Sequence, residues 1–274
     1  MHFRSKNIQL DSILLLAFFS ILKSIVWFLQ VFNKSDLLRL GSKYGGWSLR
    51  NLPSERRILL ISAGVGEDVS FDIEFCSLFP SARVVLIDPT SRSKDHFEKV
   101  VQNLGQCAHL PYSDGGLQPI GSYDLSKISF GQVLFLNRAL WNHSHGVSLE
   151  KPSNPKFVSY RKPTKESEDV TFFKSISWKD ILADRTLGSY TGENSCLLLK
   201  LDIEGCEVDV LRNILDSKLM PCQILVEFDV LRQASIINLL NASKLIFRML
   251  FSGYNPIHIN GLNVSFERKN CDAV

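Results

Sequence analysis

Five short, unbroken apolar runs separated by amphipathic stretches constrain the fold of this chain more than any other feature. They are Arg57–Ala63 (RILLISA), Arg83–Asp88 (RVVLID), Gln132–Leu136 (QVLFL), Cys196–Leu201 (CLLLKL) and Cys222–Phe228 (CQILVEF). A run of this length without apolar–polar alternation is what a strand needs when both of its faces are covered. Helical patterns lie between the runs. Glu67–Leu78 and Ser91–Asn103 follow the first two, Gly205–Asp216 puts Val208, Leu211 and Leu215 on one face, and Val230–Leu250 is longer. Strand–helix alternation predicts βαβ units and a doubly wound α/β sheet. The tail, Tyr254–Ile259 and Asn263–Glu267 around Asn260-Gly261, predicts a hairpin that closes the parallel sheet with antiparallel strands. Segments 111–122 and 152–164, rich in Pro, Gly and Ser, read as loops.

The chain has 274 residues, 45% of them hydrophobic and 22% charged, with a net charge of +3. These values exclude collagen-like, disordered and polytopic membrane classes and leave room for one large core. Lys and Arg are scattered, with no basic stripe interleaved with aromatics, so no nucleic-acid partner is expected. The six cysteines form neither a disulfide framework nor a metal-ligand spacing, and no metal site is expected from them. Cys196 and Cys222 open apolar runs and read as small core residues. Cys76, Cys107 and Cys271 are candidates for pairing in an oxidising compartment.

Residues 13–32, after a short tail 1–12, read ILLLAFFSILKSIVWFLQVF. About twenty apolar residues match a hydrocarbon core of roughly 30 Å. Arg4 and Lys6 precede the run, which fits a cytoplasmic N-terminus. Lys23 in its middle costs about 2.5–3.5 kcal/mol, which the surrounding Leu, Ile, Phe and Val offset. The segment is read as a transmembrane signal anchor, with 33–274 as a luminal, secretory-pathway domain. The alternatives are a cleaved signal with its apolar part at Ile13–Leu22, giving a secreted protein, and a buried or peripheral helix. Glycosylation sequons at Asn33, Asn142, Asn241 and Asn263 agree with a luminal side.

Four motifs carry chemistry. The first is Ile61-Ser-Ala-Gly-Val-Gly-Glu-Asp68, at the end of the first strand. Gly64 and Gly66 permit a tight turn and close approach to a ligand. Position 69 is Val, so the third glycine of a dinucleotide fingerprint is absent. Glu67 and Asp68, at the start of the next helix, would repel a pyrophosphate and suit a ligand with a cationic end. Ser62, on the strand before the turn, completes this candidate cofactor-binding segment. The second motif is Asp88 at the tip of the second strand, 22 residues after Gly66, the spacing at which an acid accepts ribose hydroxyls. The third is Lys200, Asp202 and Glu204, alternating at the end of a buried strand, where polar side chains are costly unless they face a cleft. The fourth is Glu227, ending the fifth run, where it can pair with Asp202 as a general base or cation ligand.

The blocks GVGEDVSFD (Gly64–Asp72), IDPT (Ile87–Thr90), LKLDIEGCE (Leu199–Glu207) and ILVEF (Ile224–Phe228) together resemble the FkbM-type methyltransferases, and most closely the methyltransferase-like 24 branch. Tyr44-Gly-Gly-Trp47 resembles that branch's lead-in motif. The resemblance spans about residues 44–268. It implies a class I, Rossmann-like methyltransferase fold, with a seven-stranded sheet whose last strand is antiparallel. It implies S-adenosylmethionine as cofactor and transfer to a hydroxyl oxygen on a small molecule or glycan. By the resemblance, Gly64 and Gly66 approach the methionine part, Asp88 the ribose, and Ala139 and Leu140 the adenine. Lys200, Asp202 and Glu204 face the methyl group and acceptor. Asp202 is the first choice for catalytic base and Glu227 the second, with Lys200 orienting them. The chain departs from the branch at Asp229, where a His is usual. The alternative reading is a catalytically inactive, membrane-tethered binding protein.

Overall fold

The structure is a computed structural model. It describes residues 37–269 except 54, 153, 155–157, 164–168, 193 and 233–234, and before residue 37 only Ser20 and Ser24. Apart from those two serines, the tail 1–12 and the expected anchor 13–32 lie outside the described residues. Among the described residues no helix is long and apolar enough to cross a membrane.

A hairpin of β1 (Leu37–Leu40) and β2 (Trp47–Arg50) leads into alternating strands and helices. In order these are β3 (Arg57–Ala63), α1 (Ser70–Leu78), β4 (Arg83–Ile87), α2 (Ser91–Gln102) and β5 (Val133–Leu136). An excursion follows: β6 (Ala139–Trp141), β7 (Val147–Glu150), β8 (Val170–Phe173), β9 (Ser175–Ser177) and α3 (Trp178–Leu182). The main layer resumes with β10 (Ser195–Leu201), α4 (Glu207–Leu215), β11 (Gln223–Glu227), α5 (Ile236–Phe251), β12 (Tyr254–Asn260) and β13 (Asn263–Arg268). Seven strands form one sheet in the order β12-β13-β11-β10-β3-β4-β5. Strands β11, β10, β3, β4 and β5 are mutually parallel, and β13 is antiparallel to both of its neighbours.

The five apolar runs became the five parallel strands: β3, β4, β10 and β11 bury nearly every side chain on both faces, while β5, at the sheet edge, is half-buried throughout. In β3 only Arg57 is exposed, and Leu59, Leu60 and Ile61 are fully buried. One face of the sheet packs Leu59, Ile61, Val85, Leu199 and Val226 against Leu211 and Ile214 of α4 and Leu245 and Met249 of α5. The other face packs Leu60, Val84, Leu86 and Leu198 against Phe71 and Phe75 of α1 and Trp47 and Leu49 of β2. Apolar area lost from water on two faces at once is the main favourable term here.

Three local expectations differ from the structure. The first helix begins at Ser70 rather than Glu67, because residues 64–69 form the turn; Val69 offers no capping side chain, and its N–H is taken by the Tyr123 hydroxyl at 3.3 Å. The tail hairpin turns on Gly261-Leu262, with Asn260 opposite Asn263, one residue later than expected. The last helix starts at Ile236, because Asp229–Leu231 is a separate 3-10 turn. Of the cysteines, Cys76 and Cys107 carry free thiols, and Cys196 is buried. Cys222, expected to be a simple core residue, is buried and disulfide-bonded.

Just past their carboxyl ends, strands β3 and β10 leave no room for a side chain between them. The Asp202 N–H donates to the Ala63 carbonyl at 3.0 Å, and the Gly64 N–H donates to the Ile87 carbonyl at 2.9 Å. Gly64 has φ +74°, and a Cβ added to it would lie 1.6 Å from the Asp202 carbonyl oxygen. Gly261 also has positive φ, at +60°, but nothing lies within 4 Å of a Cβ there. Gly261→Ala is expected to cost about 1–2 kcal/mol, the left-handed penalty alone. Gly64→Ala must also separate β3 from β10 and is expected to cost several times more. Urea denaturation of the two variants measures the difference.

Candidate active site

The carboxyl ends of β3, β4, β10 and β11, with β6, border a cleft of about 1270 Å³. An open α/β sheet places its ligands at this end, where adjacent crossovers diverge. Eleven of the twelve site residues expected from sequence line it: Gly64, Gly66, Glu67 and Asp68 from the first turn, Asp88 from the second, Ala139 and Leu140 from β6, and Lys200, Asp202, Glu204 and Glu227 from the β10 and β11 tips. Ser62 does not line it. Its side chain is fully buried beneath the turn, beside Asp72.

The turn is held by Asp88. Gly66 N–H donates to Asp88 Oδ2 at 3.0 Å, and the Thr90 N–H and hydroxyl donate to Oδ1 at 2.9 and 2.7 Å. Burial raises the Asp88 pKa, while these three hydrogen bonds and Lys200 oppose the rise. A carboxylate offers about four acceptor positions, so Asp88 keeps capacity for one more donor. Thr90, rather than Asp88, caps α2, accepting the Ser93 N–H at 3.3 Å.

The two acids after the turn are not free. Glu67 forms a bidentate pair with Arg92 of α2, with Arg92 Nε at 3.2 Å from Oε1. Asp68 is turned inward. Its oxygens accept from the Ser42 hydroxyl at 2.6 Å, the Ser70 N–H at 2.9 Å and the Gln118 amide at 3.3 Å. Asp68 thus fastens the Tyr44–Trp47 lead-in segment to the start of α1, and Gly45 sits where an added Cβ would strike its carboxylate at 2.6 Å. The two carboxylates expected to repel a diphosphate thus each have protein partners. Ligand charge preference comes instead from the whole cleft, where Glu67, Asp68, Asp88, Asp202, Glu204 and Glu227 face Arg92, Lys200 and Arg232. The surplus of acids leaves the cleft negative and favourable to a cation.

Lys200 is 3% exposed and points under the turn, where its Nζ donates to the Gly64 carbonyl at 3.0 Å. Its charge also bears on Asp72, Asp88 and Asp202. Asp202 and Glu227 form the second cluster. They are hydrogen-bonded to each other, so one of them carries a proton. Burial and the neighbouring Asp202 push Glu227 up to about 8. Burial and Glu204 raise Asp229 to about 7, and Arg232 bonds both Glu227 and Asp229. Asp202, Glu227 and Asp229 present ligand atoms within 4.8 Å of one another, a separation that could hold a divalent cation. Tyr44 reaches over this cluster, and burial, then Asp202, Glu204 and Glu227, raise its phenol. Glu204 has φ +50° beside Gly205 at +90°, a bend that turns the chain from β10 into α4. Glu207 is completely buried and accepts the Val230 N–H at 2.8 Å. It anchors the loop after β11.

Sequence reasoning did not single out Arg92, Arg232, Tyr160 or Trp141, all of which line the cleft. Arg232 carried no signal, since it follows Glu227 by five residues on an irregular turn.

No protein-family profile and no curated protein matches the chain by sequence. Among solved structures, the chain is similar to one in a fibrillarin/Nop5p complex (7% identity, 79% of this chain and 74% of that chain, TM-score 0.38). It is also similar to the S-adenosylmethionine-dependent methyltransferase SibL in its apo form (11% identity, 78% of this chain but half of that chain, TM-score 0.30). A third is an antibiotic-related methyltransferase (11% identity, 84% and 96%, TM-score 0.31). The seven-stranded sheet of this chain, in its order and strand senses, fits the class I, Rossmann-like methyltransferase fold.

Asp72 of α1 gives the site a pH signature. It is 1% exposed and raised to about 6, because burial outweighs Lys200 and the Ser62 hydroxyl. A carboxyl whose folded pKa lies above its unfolded value disfavours the fold once ionised. That penalty is absent below about pH 4 and complete above about pH 6. Asp72→Asn is expected to stabilise the protein at pH 8 by about 1–3 kcal/mol and to have little effect at pH 4. Chemical denaturation at the two pH values measures it.

Proposed function

We propose that this protein is an S-adenosylmethionine-dependent methyltransferase of the FkbM type, nearest the methyltransferase-like 24 branch. It acts on a hydroxyl oxygen of a small molecule or glycan. Residues 13–32 anchor it in a membrane of the secretory pathway, with the domain on the luminal side. The observation that carries the enzymatic reading is the negative cleft at the strand ends, with the Gly64–Gly66 turn tied to Asp88. A ligand with a nucleoside diol and a cationic end matches that charge and that acid better than a diphosphate does.

The fit to the donor is one of residues. Gly64 and Gly66 bring backbone close to the methionine part, Asp88 has acceptor capacity for a ribose hydroxyl, and Ala139 and Leu140 supply an apolar wall for the base. The bound donor supplies an activated methyl group on a sulfonium. The chain's contribution is to align the acceptor and take its proton. Alignment alone is worth several kcal/mol. The Asp202–Glu227 pair, at the cleft floor and holding one proton, receives the hydroxyl proton as the acceptor oxygen attacks. Lys200 fixes the Gly64 carbonyl and opposes the rise that burial imposes on Asp202.

A second reading, a binder without transfer, rests on Arg232. It bonds Glu227 and Asp229 at once and competes for the base.

Thermal denaturation with S-adenosylhomocysteine, and separately with NAD, tests the cleft's preference; only the first is expected to raise Tm. Methyl incorporation from labelled donor into glycans and small alcohols then separates enzyme from binder. Asp202→Asn is expected to retain donor binding and lose about 10²–10⁴-fold in transfer rate. Retention of full rate overturns the assignment. The transfer rate should change as pH passes through about 8, where Glu227 titrates, and Glu227→Gln should remove that change.

A further inference from the structure

The chain holds Asn-x-Ser sequons at Asn33, Asn142, Asn241 and Asn263, and methyl transfer uses none of them. A sequon by itself says only that a hydroxyl stands two residues after an amide. Whether the folded protein has room for an oligosaccharide there depends on the surroundings of that amide, because the sugar is bulky and hydrated and belongs on the surface. Asn33 lies outside the described residues and directly follows segment 13–32, so an anchor there holds it at the bilayer surface. The fold separates the other three.

Asn263 opens β13. It pairs with Glu227 on one side and Asn260 on the other, is half-buried, and lines the cleft. The Ser265 hydroxyl of the same sequon is buried and donates to the Ser48 carbonyl at 2.6 Å. A sugar on Asn263 would stand in the cleft. Asn241 lies within α5 and is half-buried, and its Oδ1 accepts from the Arg212 guanidinium of α4 at 3.2 Å, so its carboxamide faces the neighbouring helix. A helix turns about 100° per residue, which carries Ser243 to nearly the opposite side.

Asn142 differs on each count. It is exposed, in the irregular loop 142–146 between β6 and β7, and it does not line the cleft. The loop is held through its other residues. The Ser175 hydroxyl of β9 donates to the His143 carbonyl at 2.7 Å and accepts the Gly146 N–H at 2.8 Å. The Ser144 hydroxyl accepts the Ser177 N–H at 3.0 Å and bonds Asp180. None of these contacts uses the Asn142 carboxamide, so a sugar on it costs the loop nothing. A second observation concerns the compartment. Cys222 is disulfide-bonded, and disulfides persist in oxidising compartments such as the lumen where such sugars are added.

We propose that the folded protein carries one N-linked oligosaccharide, on Asn142. This rests on the luminal reading above and is independent of whether methyl transfer occurs. The donor class is a lipid-linked oligosaccharyl diphosphate of the secretory pathway. A bond forms between Asn142 Nδ2 and the first sugar's anomeric carbon, the bond from that carbon to the diphosphate breaks with its electron pair, and one amide proton leaves with the diphosphate. The sugar then stands at the rim beside Trp141, which lines the cleft, and leaves the cleft open.

The test uses the full chain produced in cells with a secretory pathway, treated with peptide N-glycosidase F and compared on a denaturing gel. The wild-type chain is expected to lose the mass of one oligosaccharide. Asn142→Gln is expected to run at the deglycosylated position without treatment, and Asn241→Gln and Asn263→Gln to behave as wild type. A shift that survives Asn142→Gln, or one abolished by Asn241→Gln or Asn263→Gln, overturns the assignment. Lys127→Asn completes a sequon with Ser129 in an exposed turn and reports the compartment; it is expected to add a second oligosaccharide. A wild-type chain without a shift, beside a Lys127→Asn chain with one, overturns Asn142 as acceptor and leaves the luminal reading standing. Absence of a shift in both overturns the luminal reading and the site with it.

Discussion

The close approach of β3 and β10 at their carboxyl ends is the constraint on which the rest of the site depends. The Asp202 carbonyl occupies the space that any side chain at Gly64 would need. Lys200, the next polar residue back along β10, donates to the Gly64 carbonyl from below. One strand tip thus dictates the shape of the turn on its neighbour. That turn presents Gly66 N–H to Asp88, which in turn fixes the tip of β4. Three strand ends are locked to each other by backbone contacts and one buried ammonium before any ligand arrives. Preorganisation of this kind is what a transfer reaction with an already activated donor asks of its protein.

Burial gives the charges of this region their behaviour. Asp72, Asp88, Asp202 and Glu227 are all raised because burial disfavours their ionised forms, and Lys200 and Arg232 hold part of that rise back. Two cations spread over so many acids leave protons in the cluster near neutrality. A pair such as Asp202–Glu227, which holds a proton and can take another, is suited to proton movement. The same crowding brings Asp229 and Arg232 into contact with the pair, so the cleft floor is an ion network rather than an isolated base.

The two ends of the sheet have different characters. The carboxyl ends converge on carboxylates and glycine turns. The amino-terminal ends expose Phe130 and Phe251. Chain direction in a parallel sheet imposes this division, since every crossover returns to the same base and every strand delivers its last residue to the same cleft.

Periodicity alone determined a good deal here. Runs such as RILLISA and CLLLKL are too short and too uniformly apolar to be anything but strands covered on both faces, and the alternation with helical patterns requires a doubly wound sheet. Polar residues ending those runs, Asp88, Asp202 and Glu227, were legible as cleft residues because burial elsewhere on such strands is unaffordable for them. The hairpin of β1 and β2 and the excursion from β6 to β9 were not legible, since short irregular strands carry little pattern. Partners were not legible either. That Glu67 would pair with Arg92, that Asp68 would turn inward to Ser42 and Ser70, and that Arg232 would span two acids depends on residues brought together from separate elements. Spacing along the chain says which residues share a strand tip; only the packing of one crossover against another decides which of their charges stay free.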